Sequence, residues 1–272
     1  MHYADYKTIL SPQNGMNLYR GCTHDFEDVE VKRSAPEILE MQLRRKRKKC
    51  MIATGAMCDP YIPLEEELCI TRRCLELIER YGFGLAIQTK SARVLRDLDL
   101  FSAIQRRTKC VVQMTLTTYD EALCKKIEPN VSSTRERLHA LETLRDAGIP
   151  TVVWMTPILP FINDTEENIR GLLDYCVRAK VVGILNFGFG VTLREGDREY
   201  FYAALDREFP GVKQKYIRAF GNAYECASPN NGRLMKIFTE ECASHGILYR
   251  TNDVFDYLRR FEAKQEQMKL FC

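Results

Sequence analysis

The residues able to do chemistry in this sequence fall into short polar groups, each at the end of an apolar run. Arg20, Gly21 and Cys22 follow the first run, with His24 and Asp25 close behind, and Thr54, Gly55, Cys58 and Asp59 follow the second. Gln88, Thr89, Lys90 and Ser91 end the third, and Gln113, Thr115, Thr117 and Thr118 come from the fourth. Thr156 and Asn163 belong to the fifth, and Asn186, Gly188, Gly190 and Arg194 to the sixth. Hydroxyls, amides and one or two cations converging on one mouth suit a polar ligand that carries a carboxylate, a ribose or a phosphate. Polar loop starts are common in any soluble protein, so the whole set carries weight that a single residue lacks.

Such groups need elements to hold them. The runs Met16 to Tyr19, Cys50 to Thr54, Phe83 to Gln88, Cys110 to Leu116, Thr151 to Thr156 and Val181 to Phe187 are short and nearly continuous, as strands buried on both faces must be. Helical periodicity lies between them, over Ala35 to Lys48, Leu64 to Arg80, Ser91 to Arg107, Ser133 to Ala147 and Asp164 to Ala179. Pro36 suits a first turn, Ser91 an N-cap, and Gly148 with Pro150 a helix end. The alternation predicts a parallel sheet wound by right-handed crossovers, a partial (β/α)6 TIM-like barrel whose ligand groups sit at the C-terminal strand ends. Beyond Phe187 the pattern turns to helices over Glu195 to Glu208, Val212 to Phe220, Asn230 to Ser244 and Asn252 to Lys264, with Gly246 to Tyr249 as the one further strand candidate. No linker sets off a second unit, so a single domain is expected, with a barrel core over about 16–190 and a C-terminal helical extension over about 191–272.

Composition narrows the class. The chain has 272 residues, 45% hydrophobic and 28% charged, which excludes a disordered or collagen-like polypeptide. Ile149 to Leu159 and Val181 to Phe189 are too short to span a bilayer, and Met1 to Gly15 lacks a basic-then-apolar leader pattern, so a soluble, non-exported protein is expected. Eleven cysteines, odd in number and spread singly, read as free thiols of a reducing compartment, hence the cytoplasm. A net charge of +3 is too small to imply a nucleic-acid partner by itself. The cationic run Arg44 to Lys49 ends the first barrel helix and is expected near the N-terminal side of the barrel, away from the mouth.

The segments GMNLYRGCTH, TGAMCDPYIPLE, QTKS, QMTLTT, EPNVSSTRERLHALETLRDAGIPT and TPILPFINDTEENI resemble the radical S-adenosylmethionine superfamily, in the branch of spore photoproduct lyase and DNA repair photolyase-like proteins. The resemblance runs from about Met16 to Phe261. It implies a partial barrel with a [4Fe-4S] cluster on three cysteines spaced C-x3-C-x2-C after the first strand. The open iron would bind the amino and carboxylate groups of S-adenosylmethionine, an electron donor would drive its cleavage, and the resulting deoxyadenosyl radical would take hydrogen from DNA or another substrate. Three closely spaced thiolates are what such a site requires. Here the pattern breaks: Cys22 matches the first cysteine, but Phe26 and Val29 stand at the other two positions. No C-x3-C or C-x2-C occurs elsewhere, and Cys69 and Cys74 have four residues between them on a predicted helix. Three accounts stay open: a segment of the molecule outside this sequence, a true deletion, or a cluster that recruits Cys58 with His24 or Asp25.

Other positions carry over singly. Thr54, Gly55 and Asp59 match the segment that approaches the methionine end of the cofactor; Lys90 and Ser91 match a strand end where a cation meets its carboxylate. Gln113, Thr115 and Thr117 resemble the ribose-contacting strand, Glu128 and Arg137 the acidic and arginine positions that follow, and Pro157, Ile158 and Pro160 the loop that packs on adenine. Tyr224 and Cys226, with Ser228, form a candidate catalytic pair, since some members of the branch relay hydrogen through such side chains. The resulting expectation is a radical S-adenosylmethionine barrel with metal ligand Cys22, cluster-deficient and inactive in cofactor cleavage as this chain stands. Two alternatives remain: a noncatalytic nucleotide- or nucleic-acid-binding barrel using Lys90, Arg194 and the basic helix, and an enzyme using Lys90 as a Schiff-base amine.

Overall fold

A computed structural model describes residues 31–56, 59–193 and 197–264. The first apolar run, Cys22, His24, Asp25, Cys58 and Arg194 lie outside the described residues. The chain proceeds from α1 (Ala35–Arg45) to β1 (Met51–Thr54), α2 (Glu65–Leu68), α3 (Ile70–Arg80) and β2 (Gly84–Thr89). A 3-10 turn (Ala92–Asp97) leads into α4 (Leu98–Arg107), followed by β3 (Cys110–Thr115), α5 (Glu121–Ile127), α6 (Thr134–Asp146), β4 (Thr151–Trp154), α7 (Glu166–Arg178) and β5 (Gly183–Leu185). Then come β6 (Gly190–Thr192), α8 (Asp197–Glu208), α9 (Val212–Phe220), β7 (Glu225–Ala227), α10 (Asn231–Ser244) and α11 (Thr251–Arg259).

The strands β1 to β5 form one parallel sheet in sequence order, the arrangement that helix crossovers dictate. Alternation sorts their side chains onto two faces. Leu85, Ile87, Val112, Met114 and Val153 join Leu75, Phe101, Leu141 and Leu172 of the surrounding helices in the main core. Ala86, Val111, Val152 and Leu185 line the interior face, where Val254 and Leu258 of α11 close it. The result is an α/β open barrel, with Leu248 adding a single parallel bridge to Gly183 beyond β5. Among the described residues no helix is long and apolar enough to cross a membrane.

Local chemistry explains the helix boundaries. Ser133 and Glu136 form a reciprocal capping box on α6, Thr165 caps α7 through the Asn168 amide, and Gly148 ends the α6 turn at φ 72°. The helix expected over Leu64 to Arg80 is two pieces, because Cys69 adopts φ 50° and the Glu65 carboxylate accepts from the amides of Ile70 and Thr71 to cap α3. Ser91 does cap its helix, but the first turn is a 3-10 turn ending at Asp97, which accepts from Tyr61, Arg72 and Arg96. Two features go beyond the expected elements: α5, capped by Asp120, and the antiparallel pair β6 and β7. The run before β1 sits at the N-terminal strand ends as expected, with Lys49 over the Phe83 ring.

Candidate functional site

Asp59 ties the loop after β1 to the end of β2. Its buried carboxylate accepts from the Tyr61 amide at 2.8 Å, the Thr89 hydroxyl at 2.6 Å and the Lys90 amide at 2.6 Å. These bonds make it an organiser of two strand ends. Gly55, just before it, lies at φ 95°, and a Cβ there would sit 1.9 Å from the Gln88 carbonyl oxygen, so the close approach of the two strands requires glycine. Thr54 pairs in register with Ile87 and so shares the helix-facing side of the sheet.

Lys90 continues the interior alternation of Ala86 and Gln88 and carries the charge of the mouth. Its Nζ donates to Glu128 Oε1 at 2.6 Å, and Arg137 Nη2 donates to Glu128 Oε2 at 2.7 Å. Arg137 is fully enclosed and also donates to the carbonyls of Thr115, at 3.0 Å, and Ser132, at 2.8 Å. Burial alone would raise the Glu128 carboxyl, but Arg137 and Lys90 outweigh it and hold it at about 2. Arg137 and Glu128 are thus a buried foundation, and Lys90, with a fifth of its side chain exposed, is the part that reaches the mouth.

The ends of β3 and β4 are fixed by amides. Asn163 Nδ2 donates to the Thr117 carbonyl at 2.9 Å and to Thr118 Oγ1 at 3.1 Å, and Asn168 Nδ2 donates to the same carbonyl at 3.0 Å. Gln113 and Thr115 face the interior, Gln113 accepting from the indole of Trp154 at 2.9 Å. Trp154 and Phe187 were absent from the sequence-based set; period-two alternation from Val152 and Leu185 is the signal that places them on this face.

Two expected contributors sit elsewhere. Ile158 is fully buried in the main core and presents no surface at the mouth. Cys226, on β7, packs in a separate cluster with Phe201, Tyr216 and Val191, while Tyr224 is exposed. Ser228, also buried, donates to Asp164 at 2.5 Å, and burial raises the Asp164 carboxyl.

The buried thiols among the described residues do not suit an iron-sulfur cluster. Burial pushes Cys74 up to about 11 and Cys242 to about 12, and holds Cys110 and Cys176 far above the ordinary thiol range. Protonated core thiols are the opposite of the thiolates a cluster binds. Among the described residues no three His, Cys, Asp or Glu side chains come together as a metal site. With Phe26 and Val29 at the remaining motif positions, Cys22 lacks the two sulfur partners that the pattern supplies.

Comparison with known proteins joins these features. The model of the radical SAM superfamily matches residues 17–176. The uncharacterized protein Rv2578c of Mycobacterium tuberculosis is 27% identical over 223 residues, 74% of this chain and 65% of that protein. The uncharacterized protein MJ0683 of Methanocaldococcus jannaschii is 34% identical over 138 residues, 51% of this chain and 50% of that one. The match therefore spans under two thirds of the first protein and half of the second. In fold, the chain is similar to spore photoproduct lyase complexed with dinucleoside spore photoproduct, with a TM-score of 0.57 and 13% identity, covering 81% of this chain and 67% of that one. It is also similar to Streptococcus suis SuiB bound to S-adenosylmethionine, with a TM-score of 0.50 and 10% identity over 84% of this chain and 45% of that one. The open parallel barrel and a family match across more than half of its length establish that this chain belongs to the radical SAM superfamily.

Proposed function

We propose that the strand-end mouth binds S-adenosylmethionine, and that this chain does so without assembling a [4Fe-4S] cluster. The observation that carries the reading is Lys90, a cation at the end of β2 held in place by the buried Glu128 and Arg137 pair. Its ammonium suits the methionyl carboxylate, and the Thr115 and Thr117 hydroxyls suit the ribose. A bound cluster would supply the electron that cleaves the sulfonium; the donor set here does not fit one, and no cleavage step is assigned. The fold likeness to spore photoproduct lyase, whose structure holds a dinucleoside photoproduct, supports a nucleic-acid-derived substrate class. Equilibrium dialysis of the iron-free protein against S-adenosylmethionine is expected to give one saturable site per chain, weakened about tenfold or more by Lys90→Ala, as for loss of a charge-assisted hydrogen bond. Absence of saturable binding would remove the reading.

A noncatalytic nucleic-acid-binding barrel is favoured by one further observation. A groove of roughly 160 Å³ is lined by Lys125 and Lys126, with Pro129, Tyr200 and Ala204, and by Arg207, whose guanidinium pairs with the Glu208 carboxylate of the same groove at 2.7 Å. Neutralising phosphates there would make binding of single-stranded DNA fall with salt. The Lys125→Ala/Lys126→Ala variant is expected to flatten the log–log salt slope by about 1.4, or about 0.7 for each phosphate left without its lysine. An unchanged slope would exclude the groove.

A further inference from the structure

The barrel interior holds a second set of groups, opposite in chemistry to Lys90. Trp154, at the end of β4, and Phe187, two residues past β5, have ring centroids 5.9 Å apart. Phe255 of α11 completes the group, 6.3 Å from Trp154 and 6.4 Å from Phe187. Phe187 is 58% exposed, an unusual state for a residue backed by two other aromatic rings. A single exposed phenylalanine would need no explanation, but this one stands beside an amide whose orientation is fixed.

That amide is Gln113. The indole nitrogen of Trp154 only donates, so the atom it meets at 2.9 Å must be the carboxamide oxygen, and the amide cannot be reversed. Its NH2 group therefore offers two hydrogens. Gln113 is only 5% exposed, and among the described residues its amide nitrogen has no hydrogen-bond partner; that nitrogen is not among the sealed polar atoms, so it reaches the open interior. A fixed donor pair that reaches the open interior is available to an acceptor on a ligand.

We infer that Gln113 and the Trp154, Phe187 and Phe255 cluster form the substrate subsite of this mouth, and that they take a planar ring bearing a carbonyl oxygen. The ring stacks on the exposed face of Phe187, and its carbonyl accepts from Gln113 Nε2. Donor-only polarity excludes a ring edge that itself presents only N–H groups. Gln113 thereby belongs to substrate and not to the ribose. The inference rests on the reading of the strand ends as a ligand mouth.

Trp154 is the single tryptophan of the chain, so intrinsic tryptophan fluorescence reports on this subsite alone. The probes are uridine, a planar ring with carbonyl oxygens, and dihydrouridine, which keeps the carbonyls but puckers the ring. Uridine is expected to quench Trp154 saturably and to bind about tenfold more tightly than dihydrouridine, since stacking needs the flat face. Phe187→Leu, at an exposed position, should cost about tenfold through lost stacking, and Gln113→Leu a similar factor through the lost hydrogen bond. Non-saturable quenching, equal affinity for the two probes, or indifference to Phe187→Leu would overturn the inference. Dialysis with S-adenosylmethionine on the same preparation separates the two failures: cofactor binding without uridine binding ends this inference alone, whereas loss of both ends it together with the reading of the mouth.

Discussion

Anaerobic reconstitution of the 272-residue chain with iron and sulfide is expected to yield no [4Fe-4S] cluster, and reduction in the presence of S-adenosylmethionine to yield no deoxyadenosine. The reason lies in the donor set: one cysteine follows the first apolar run, and the thiols at Cys110 and Cys176 are locked in the core with their protons held by burial. Cysteines that must leave a packed core to ligate iron would each forfeit their burial and leave a cavity behind, which makes recruitment from a distance unfavourable. The converse experiment restores the spacing. Phe26→Cys with Val29→Cys places three thiols at C-x3-C-x2-C, and iron and visible absorbance are expected to rise from background toward about four irons per chain. Stoichiometric iron and deoxyadenosine from the unaltered chain would contradict the expectation and direct attention to Cys58 and His24.

Glu128 and Arg137 should produce the largest stability effects in the molecule. Arg137→Ala removes the enclosed partner of a buried carboxylate and leaves the Thr115 and Ser132 carbonyls without their donor, and a loss of about 3–5 kcal/mol is expected. The paired replacement Glu128→Leu/Arg137→Met should cost markedly less, because no uncompensated charge remains. Acid titration offers an independent check. The folded carboxyl is held at about 2 against an ordinary 4.5, so its contribution is complete above about pH 4.5 and disappears as the pH falls toward 2. A displacement of that size corresponds to a contribution of about 3 kcal/mol. Urea midpoints measured across that window should fall steeply for the natural chain and less steeply for Glu128→Gln; parallel curves would show that Glu128 does not carry the acid response.

Much of the barrel was legible because its signals are local. Ser133 and Glu136, Thr165 and Gly148 mark helix ends by hydrogen bonds within a turn, and the apolar runs of β2 and β3 are buried on both faces as their composition demands. The misses are where tertiary contacts decide. The pair β6 and β7 has three residues per strand, too few for a pattern, and depends on Gly190, where a Cβ would meet the Cys226 carbonyl oxygen at 2.6 Å. Cys69 takes a left-handed conformation inside a stretch that reads as one helix, with Glu65 supplying the cap.

The site divides in the same way. Lys90, Glu128 and Arg137 were each picked out singly, but their union in one buried ion-pair network is set by packing and invisible in spacing. Asp59 joins two strand ends, Ser91 caps the 3-10 turn, and Ile158 is enclosed. Trp154, Phe187 and Phe255 come together across three elements, a meeting that only the folded barrel reveals.

The closure of that interior by α11 has a consequence for synthesis. Val111, Val152 and Leu185 belong to early and middle strands, yet the side chains that cover them, Val254 and Leu258, come from the last described helix. Lys109, whose ammonium donates to the Tyr257 carbonyl at 2.8 Å, is likewise waiting for a residue 148 positions downstream. A nascent chain therefore emerges from the ribosome with an apolar sheet face that no helix among its earlier described residues covers in this way. Until residues 251–259 arrive, that apolar face lacks the side chains that cover it, and docking of the helix is a long-range contact that can form only late.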